Sequence, residues 1–170
     1  MEIKQCTVDM VQELAAIGRR TFAETFVDDN TAENMEKFLA ETYNIKRLTE
    51  ELQHPDSVTF MAYEGDTALG YLKLNRGAAQ TEKGYDNSLE IQRIYVVAEA
   101  KSKGIGSRFM EIAEAQAKQW NLSYIWLGVW EHNPKAIHFY EKHGFTKFSE
   151  HVFVVGDDRQ TDWLMQRKIF

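Results

Sequence analysis

The sequence IQRIYVVAEAKSKGIGS, at positions 91–107, carries more structural information than any other part of this chain. Its β-branched and aromatic first half predicts a strand, and the apolar positions after Gly106 recur at the period of an amphipathic helix. Between the two, Gly104 and Gly106 lack a Cβ, so that the backbone can approach a ligand closely. A glycine turn at a helix start also presents unpaired N–H groups and the positive end of the helix dipole. With Lys101 and Lys103 beside it, this turn predicts a pyrophosphate-binding loop.

Two well-known phosphate motifs do not fit this loop. The dinucleotide fingerprint requires a third glycine where Phe109 stands. A P-loop requires lysine and then serine or threonine after its second glycine, whereas Gly106 is followed by Ser107 and Arg108. A tight strand-to-helix connection without a ligand remains the alternative interpretation.

A second informative segment is WLGVWEHNPKAIHFYEKHGF, at positions 126–145. Its first part predicts a strand, because it is rich in aromatic and β-branched residues. Asn133 is placed to cap a short helix, and Pro134 is suited to be the first helical residue. Gly144 is suited to end that helix in a left-handed conformation, after which Phe145 begins the next strand.

Together these segments resemble the GNAT superfamily of acetyl-CoA-dependent N-acetyltransferases. The loop pattern of that family, Gln/Arg-x-x-Gly-x-Gly/Ala, matches KSKGIG at 101–106, with lysine in the first position. The later family pattern Asn-x-x-Ala-x-x-Phe-Tyr-x-x-x-Gly-Phe is met by Asn133, Ala136, Phe139, Tyr140, Gly144 and Phe145.

The resemblance implies an α+β fold, an α/β/α sandwich whose mixed, mostly antiparallel sheet is splayed at its centre and has helices on both faces. It implies that acetyl-CoA binds with its pantetheine arm between the splayed strands, as a co-substrate and with no metal. The cofactor-binding residues that it implies are Ile94, Tyr95, Val96, Lys101, Ser102, Lys103, Gly104, Ile105, Gly106, Ser107, Asn133 and Tyr140.

Acetylation of an amine needs a proton donor for the departing thiolate and a proton acceptor for the amine. Tyr140 matches the general acid of the family, although a tyrosine among apolar helix positions can also be a core residue. Simple alternation would place Glu90, Gln92, Ile94 and Val96 on one face of their strand.

The proton acceptor is less well defined by the sequence. Gln92 occupies a position where related polyamine acetylases often carry glutamate, and an amide cannot accept a proton. Glu90, at a strand end expected to be exposed, or Glu131 would then act through water. His132 and His138 are weaker candidates.

A closer resemblance joins the chain to the bacterial PaiA-type spermidine/spermine N-acetyltransferases, and it implies a polyamine substrate. The matching segments are TFAETF at 21–26, ENM at 33–35, LEIQRIY at 89–95, IWLGVWE at 125–131 and GDDRQTD at 156–162. Acidic residues of the first two helices would attract a polycation, although such residues also suit a solvated helix face. The implied substrate-binding residues are Phe22, Glu24, Phe26, Glu33, Gln92 and Trp130.

Composition narrows the remaining possibilities. A length of 170 residues predicts one domain, 1–170, and the net charge of −6 argues against nucleic acid as a partner. No apolar run reaches the roughly 20 residues of a membrane span, and no signal-peptide pattern is seen. The lone Cys6 excludes an intrachain disulfide and fits a cytoplasmic location. The histidines lack metal-ligand spacing.

The coarse pattern predicts a strand at 3–6, helices at 9–26 and 31–52 with a break near Asn44, and hairpin strands at 58–64 and 69–74 across Gly65-Asp66. It further predicts a central strand at 88–96 and a closing hairpin of 151–155 and 163–167 around 156–158. The resemblance adds a homodimer as one candidate assembly. Two other functional classes stay open: a protein or peptide N-acetyltransferase, and a non-catalytic acyl-CoA-binding regulatory module.

Overall fold

A computed structural model of the protein describes residues 1–155 and 157–169. The strands in this part of the chain are β1 (Glu2–Gln5), β2 (Ser57–Glu64), β3 (Thr67–Asn75), β4 (Ser88–Val96), β5 (Tyr124–Trp130), β6 (Thr146–Val155) and β7 (Asp158–Lys168). The α-helices are α1 (Val11–Phe26), α2 (Ala32–Thr42), α3 (Ile45–Gln53), α4 (Ile105–Gln119) and α5 (Pro134–Lys142). Helix α4 crosses between the parallel strands β4 and β5.

The strands form one mixed sheet in the order β1-β2-β3-β4-β5-β7-β6. Every neighbouring pair is antiparallel except β4 and β5. Those two strands pair only from Ser88 opposite Tyr124 to Ile91 opposite Leu127, and beyond that point they separate. The predicted sheet, splayed at its centre, is therefore confirmed.

Helices cover both faces of the sheet. On one face, Arg93 of β4 binds Glu51 of α3, and Tyr95 packs its ring against Phe22 of α1. On the other face, α4 packs on β4 and β5. Its fully buried residues are Ile105, Phe109, Ala113 and Ala117, spaced at the helical period that the sequence displays.

Most predicted elements are confirmed, and the local signals act as expected. Asn44 breaks the second helical region, since its side chain accepts a hydrogen bond from Arg47 N–H and so caps α3. Gly65 turns the β2–β3 hairpin with a φ of +61°, and Gly144 ends α5 with a φ of +88°. The last hairpin has longer strands than predicted; Gly156, part of its predicted turn, lies outside the described residues.

The alternation predicted for β4 is wrong because the strand contains a β-bulge. Leu74 lies opposite Ile91 and Lys73 opposite Arg93, which leaves Gln92 as an extra residue. The residues facing α1–α3 are Glu90, Gln92, Arg93 and Tyr95, whereas Leu89, Ile91, Ile94 and Val96 face α4. Ile94 and Val96 thus do not share a face with Glu90 and Gln92.

Cys6, just after β1, is buried in the core, as expected. Burial raises the pKa of its thiol to about 12, with a smaller contribution from the charge of Glu13. The thiol is therefore protonated and unreactive at neutral pH. Among the helices of the described residues, none has both the length and the apolarity needed to cross a membrane.

Candidate active site

The separation of β4 from β5 opens a gap in the centre of the sheet. Beyond Ile91 and Leu127, the edge of β4 that faces β5 has no strand partner within the described residues. Backbone N–H and C=O groups need hydrogen-bond partners when they are covered. Positions 92–96 therefore offer a row of backbone groups to an extended ligand. Across the gap, Gly128 of β5 is exposed to solvent.

The loop between β4 and α4 has the features expected of an anion site. Gly104 has a φ of +81°, a conformation that other residues adopt only under strain. The first hydrogen bond of α4 runs from Arg108 N–H to Gly104 O, so that the amides of 105–107 precede it and have no acceptor within the helix. These three amides and the helix dipole suit a phosphate.

Gly106 has a packing role that the sequence does not predict. A Cβ at this position would lie 3.0 Å from Cζ of Phe139, so that the glycine allows α5 to pack closely against the start of α4. This contact joins the two helices that carry the family motifs. Close approach of the backbone of Gly106 to a ligand stays a prediction.

The side chains of the loop are only partly available to a ligand. Lys101 and Ser102 are exposed, whereas Lys103 binds Glu64 through an exposed ion pair of 2.9 Å. Ile105 is buried in the core, so it can contribute only its amide. Ser107 Oγ lies 3.4 Å from His143 Nε2. The backbone amides of this loop are therefore its main candidate donors to an anion.

The side chain of Tyr140, on α5, lies in the interior of the protein. Its ring contacts those of Phe139 and Phe145, and it is buried. Burial raises the pKa of its hydroxyl above the usual 10, which keeps the phenol protonated throughout the neutral range. Tyr95 of β4 lies close enough for the two hydroxyl groups to interact electrostatically. Tyr140 is thus a core residue with a protonated hydroxyl, and its role as general acid stays a prediction.

Asn133 acts as the helix cap that the sequence predicts. Its Oδ1 accepts a hydrogen bond from Ala136 N–H at 3.3 Å, and Pro134 follows as the first residue of α5. The cap uses only the carbonyl oxygen of the side chain, which leaves the amide NH₂ group for another partner.

The expectation that Glu90 lies at an exposed strand end is wrong. Its side chain is buried and accepts hydrogen bonds from Asn75 Nδ2 at 2.9 Å, Thr81 N–H at 2.9 Å and Thr81 Oγ1. Asn75 at the end of β3 and Thr81 in the loop after it supply these donors, and alternation along β4 cannot reveal them. A carboxylate held by three donors is poorly placed to collect a proton from a substrate.

We expect Glu90→Ala to destabilise the protein by about 1–3 kcal/mol, because it would leave the donors of Asn75 and Thr81 without their acceptor. Urea unfolding measures this loss. The pH dependence of acetyl transfer should not move. A variant that keeps full stability but loses the acid limb of its pH–rate profile would instead identify Glu90 as the general base.

Gln92 belongs to a buried polar network next to Glu90. Its Oε1 accepts hydrogen bonds from Lys73 Nζ and from Asn75 Nδ2, the latter at 2.8 Å. Burial, and to a smaller extent the nearby charge of Arg93, lower the pKa of Lys73 to about 8. Both donors meet the oxygen of Gln92, so that this network does not use its NH₂ group.

The residues predicted to bind the substrate fall into two groups. Phe22 is buried in an aromatic cluster with Phe38 and Tyr95, whereas Phe26 packs on Trp130 with ring centroids 5.8 Å apart. The Phe26–Trp130 contact connects the end of α1 to the end of β5, at the mouth of the gap.

The acidic members of the set do not act together. Glu24 Oε1 accepts a hydrogen bond from Ala98 N–H at 3.1 Å, and its Oε2 pairs with Arg20, which also binds Glu99. Glu24 therefore ties α1 to the loop before α4. Glu33 lies exposed in the first turn of α2.

An open acidic groove of about 430 Å³ lies near Trp130. It is lined by Asp28, Asp29, Asn30, Thr31, Asn34, Asp157 and Asp158. Two hydrogen bonds connect it to β5: Trp130 Nε1 donates to Gln160 Oε1 at 2.9 Å, and Gln160 Nε2 donates to Asp158 Oδ2 at 2.8 Å. The groove thus opens at the same end of β5 as the gap.

Three further ionisable residues near the gap received no role from sequence reasoning: Asp162 of β7, His151 of β6 and Glu82 of the loop before β4. Only Asp162 stands in a segment that carried the resemblance, GDDRQTD, which gives no role to its residues. Their proximity depends on the pairing of β6 with β7 and on a loop far away in sequence. Across residues 1–155 and 157–169, no group of three or more His, Cys, Asp or Glu side chains is arranged to hold a metal ion.

Comparison with known proteins decides the family. The sequence model described as the acetyltransferase (GNAT) family matches residues 15–145. The chain belongs to this family. A relative named "Uncharacterized N-acetyltransferase in pepI 3'region", from Lactobacillus delbrueckii subsp. lactis, is 45% identical over 99% of this chain and 98% of its own length. The protein is thus an N-acetyltransferase of the GNAT family, and the predicted family is confirmed.

Two more distant members of the family are informative. A spermidine N(1)-acetyltransferase from Thermoplasma acidophilum is 24% identical over 99% of this chain and 97% of its own length. The crystal structure of a PaiA N-acetyltransferase from Thermoplasma acidophilum, in complex with coenzyme A, superposes with a TM-score of 0.81. The two sequences are 22% identical, and the superposition covers 99% of each chain. The two proteins therefore share the GNAT fold.

Proposed function

We propose that the protein transfers the acetyl group of acetyl-CoA to a primary amine of a polyamine such as spermidine or spermine. The amine attacks directly in a ternary complex, with Tyr140 as general acid. The observation that carries this proposal is the gap between β4 and β5, which is flanked by the anion-binding turn at 104–107 and by Tyr140. Family membership supplies the reaction type.

The residues at the gap divide the work of the reaction. Amides 105–107 bind the pyrophosphate, with Lys101, Ser102 and Lys103 at the loop surface. The side-chain amide of Asn133, whose oxygen caps α5, holds the pantetheine. The free backbone edge at Ile94, Tyr95 and Val96 binds the pantetheine arm as if it were a strand. The similar PaiA N-acetyltransferase was crystallised with coenzyme A, which supports the binding of this cofactor by the same fold.

Two groups stabilise the reacting atoms. An amide near Val96 faces the thioester oxygen, and a donor aimed at a developing oxyanion contributes about 3 kcal/mol to lowering the barrier. As the C–S bond breaks, the hydroxyl of Tyr140 gives its proton to the departing sulfur. Its raised pKa keeps this proton in place at neutral pH.

A polyamine is supported by the acidic groove beside Trp130 and by the spermidine acetyltransferase among the relatives. The reacting amine enters past Phe26 and Trp130, whose rings suit methylene chains and ammonium groups. A second ammonium group of the same molecule then reaches Asp28, Asp29, Asp157 or Asp158 in the groove. Opposite charges in such a groove raise the local concentration of a polycation.

The double variant Asp28→Asn/Asp29→Asn should raise the KM for spermidine about threefold or more, with kcat unchanged. The increase should be smaller at 0.5 M salt, because salt screens exposed charges. Initial rates with spermidine and with a monoamine measure the effect, and the monoamine should show no change. Equal increases for both amines would contradict a role of the groove in binding a second ammonium group.

The proposed function is tested by the release of free thiol from acetyl-CoA with a panel of acceptors. The panel contains spermidine, spermine, a lysine peptide, a peptide with a free N-terminus and an aminoglycoside. We expect fast turnover with the two polyamines and slow turnover with the others. Preference for a peptide would replace the polyamine with a protein substrate, whereas turnover with no acceptor would refute the proposal.

A further inference from the structure

The carboxylate of Asp162 lies beside the gap, on the side from which an acceptor can enter. Asp162 is opposite Trp130 in the β5–β7 pair, and its Oδ2 lies 3.3 Å from the position that a Cβ of Gly128 would occupy. Gly128 lies just past the last residue of β5 that pairs with β4. Because this position has no side chain, Asp162 is next to open backbone at the gap.

Asp162 faces the same side of the sheet as Glu90 and Gln92. Glu90 lies opposite Trp126 in the β4–β5 pair, and Trp126, Gly128 and Trp130 share one face by alternation. The cross-strand partner of Trp130 is Asp162, which therefore points to that face as well. This is the face of α1, whose Phe26 packs on Trp130.

One oxygen of Asp162 is buried and has no hydrogen-bond partner within the described part of the chain. The other oxygen, Oδ2, lies 3.9 Å from His151 Nε2, and His151 Nδ1 lies 3.5 Å from Glu82 Oε1. The side chains of His151 and Glu82 are each about one-third exposed to solvent. A covered, unpaired carboxylate oxygen is costly, and a hydrogen-bond donor that reached it would remove this cost. The side chain of Asp162 is 13% exposed, which gives an ammonium group a path to the carboxylate.

The other acid–base groups near the gap are engaged or lie at the surface. Glu90 is held by three donors, and Gln92 cannot accept a proton. Glu131 and His132 pair with each other at 3.2 Å on the loop after β5, and His138 is exposed on α5. Of the carboxylates compared here, all of them in the described part of the chain, Asp162 combines cover, an unpaired oxygen and a position beside the gap.

We propose that Asp162 binds the attacking ammonium group of the acceptor and takes its proton, and that His151 passes this proton to solvent. This inference rests on the proposed function. Loss of one proton to Asp162 converts the ammonium into a neutral amine, whose lone pair forms the C–N bond. The second N–H proton, released as the tetrahedral adduct collapses, replaces the one that Tyr140 gives to the sulfur.

The electrostatic surroundings of Asp162 suit this role. Burial raises the pKa of its carboxyl to about 6, and the nearby His151 opposes that increase. The ionisable groups that face it are His151 on β6, Glu82 in the loop before β4, and Tyr95 on β4. A base with a pKa near the working pH accepts a proton more effectively than an ordinary aspartate.

Asp162→Asn tests the proposal with spermidine as acceptor. At pH 7 we expect kcat/KM to fall at least tenfold, while the Kd of acetyl-CoA stays unchanged. At pH 9.5 the deficit should become smaller, because more of the amine is already neutral. Asp86→Asn, which removes one exposed negative charge from the loop before β4, is the matched control and should keep wild-type rates.

Stability separates this role from a structural one. Because the pKa of Asp162 is raised in the folded state, ionisation of this group reduces stability as the pH rises from about 4 through 6. Asp162→Asn should therefore unfold at the same or a higher temperature than the wild type at pH 7.5. A variant whose Tm and activity fall together at every pH would show a structural residue and overturn the proposal.

A second variant keeps the test decisive. Asp162→Ala should be slow with spermidine at pH 7, and added formate, a small carboxylate, should restore part of its rate. Wild-type rates in both variants, with an active wild type, would overturn the role of Asp162 and leave the proposed function standing. An inactive wild type with every acceptor of the panel would refute both.

Discussion

Tyr140→Phe is expected to lower kcat for acetyl transfer by about 100-fold or more and to leave the Kd of acetyl-CoA unchanged. The substitution removes only the hydroxyl group that protonates the departing sulfur, and general acid catalysis typically contributes about 10²- to 10⁴-fold. The ring, which packs against Phe139 and Phe145, stays in place. Steady-state rates with spermidine and a titration of acetyl-CoA binding measure the two quantities.

Tyr124→Phe is the matched control, because Tyr124 begins β5 at the end that pairs with β4, away from the gap. It should keep the wild-type kcat. Equal rates for the wild type and Tyr140→Phe would remove the general-acid role and leave Tyr140 as a core residue. Loss of acetyl-CoA binding in Tyr140→Phe would instead assign its hydroxyl to the binding of the cofactor.

Arg93→Ala is expected to reduce the free energy of unfolding by about 3–5 kcal/mol. Arg93 is buried, donates to both oxygens of Glu51 at 2.7 and 3.3 Å, and lies over the ring of Tyr43 at 5.4 Å. Its removal leaves the carboxylate of Glu51 largely covered without its main partner. Urea unfolding at pH 7 measures the loss, and Arg47→Ala, which removes the exposed partner of Glu51, should cost less than about 1 kcal/mol.

The stability deficit of Arg93→Ala should depend on pH. Burial by itself raises the pKa of Glu51, but the hydrogen bonds and charge of Arg93 outweigh it and lower the pKa below the usual value. A group with a lowered folded-state pKa stabilises the protein above its unfolded pKa, and this stabilisation is lost as the pH falls through the folded value. The deficit should therefore be largest at neutral pH and shrink below about pH 4. A deficit that is independent of pH would contradict the ion pair as its cause.

Local signals in the sequence are sufficient for much of this fold. The bounds of β4, the cap at Asn133 and the left-handed end at Gly144 all depend on residues within a few positions of one another. Caps and left-handed helix ends follow from the residues that form them, and the structure has them where the sequence predicts them. The gap in the sheet could be predicted only from the resemblance of two motifs to the GNAT superfamily.

The features that sequence reasoning missed depend on distant partners. The bulge at Gln92 is a shift of register between β3 and β4, and alternation along one strand cannot show this shift. Glu90 is buried because Asn75 and Thr81 cover it. Asp162 gains its environment from His151, one strand away. Each case requires tertiary contacts that a single sequence does not display.

Hydrogen–deuterium exchange with and without acetyl-CoA tests most directly whether the gap between β4 and β5 is the site of the reaction. We expect slower exchange at the amides of 104–107 and at those amides of 92–96 that face β5, since both sets would gain acceptors on the ligand. Amides of β1 and β2, at the edge of the sheet, should not change. Tight binding of acetyl-CoA without protection at 92–96 and 104–107 would show that the cofactor does not bind in the gap.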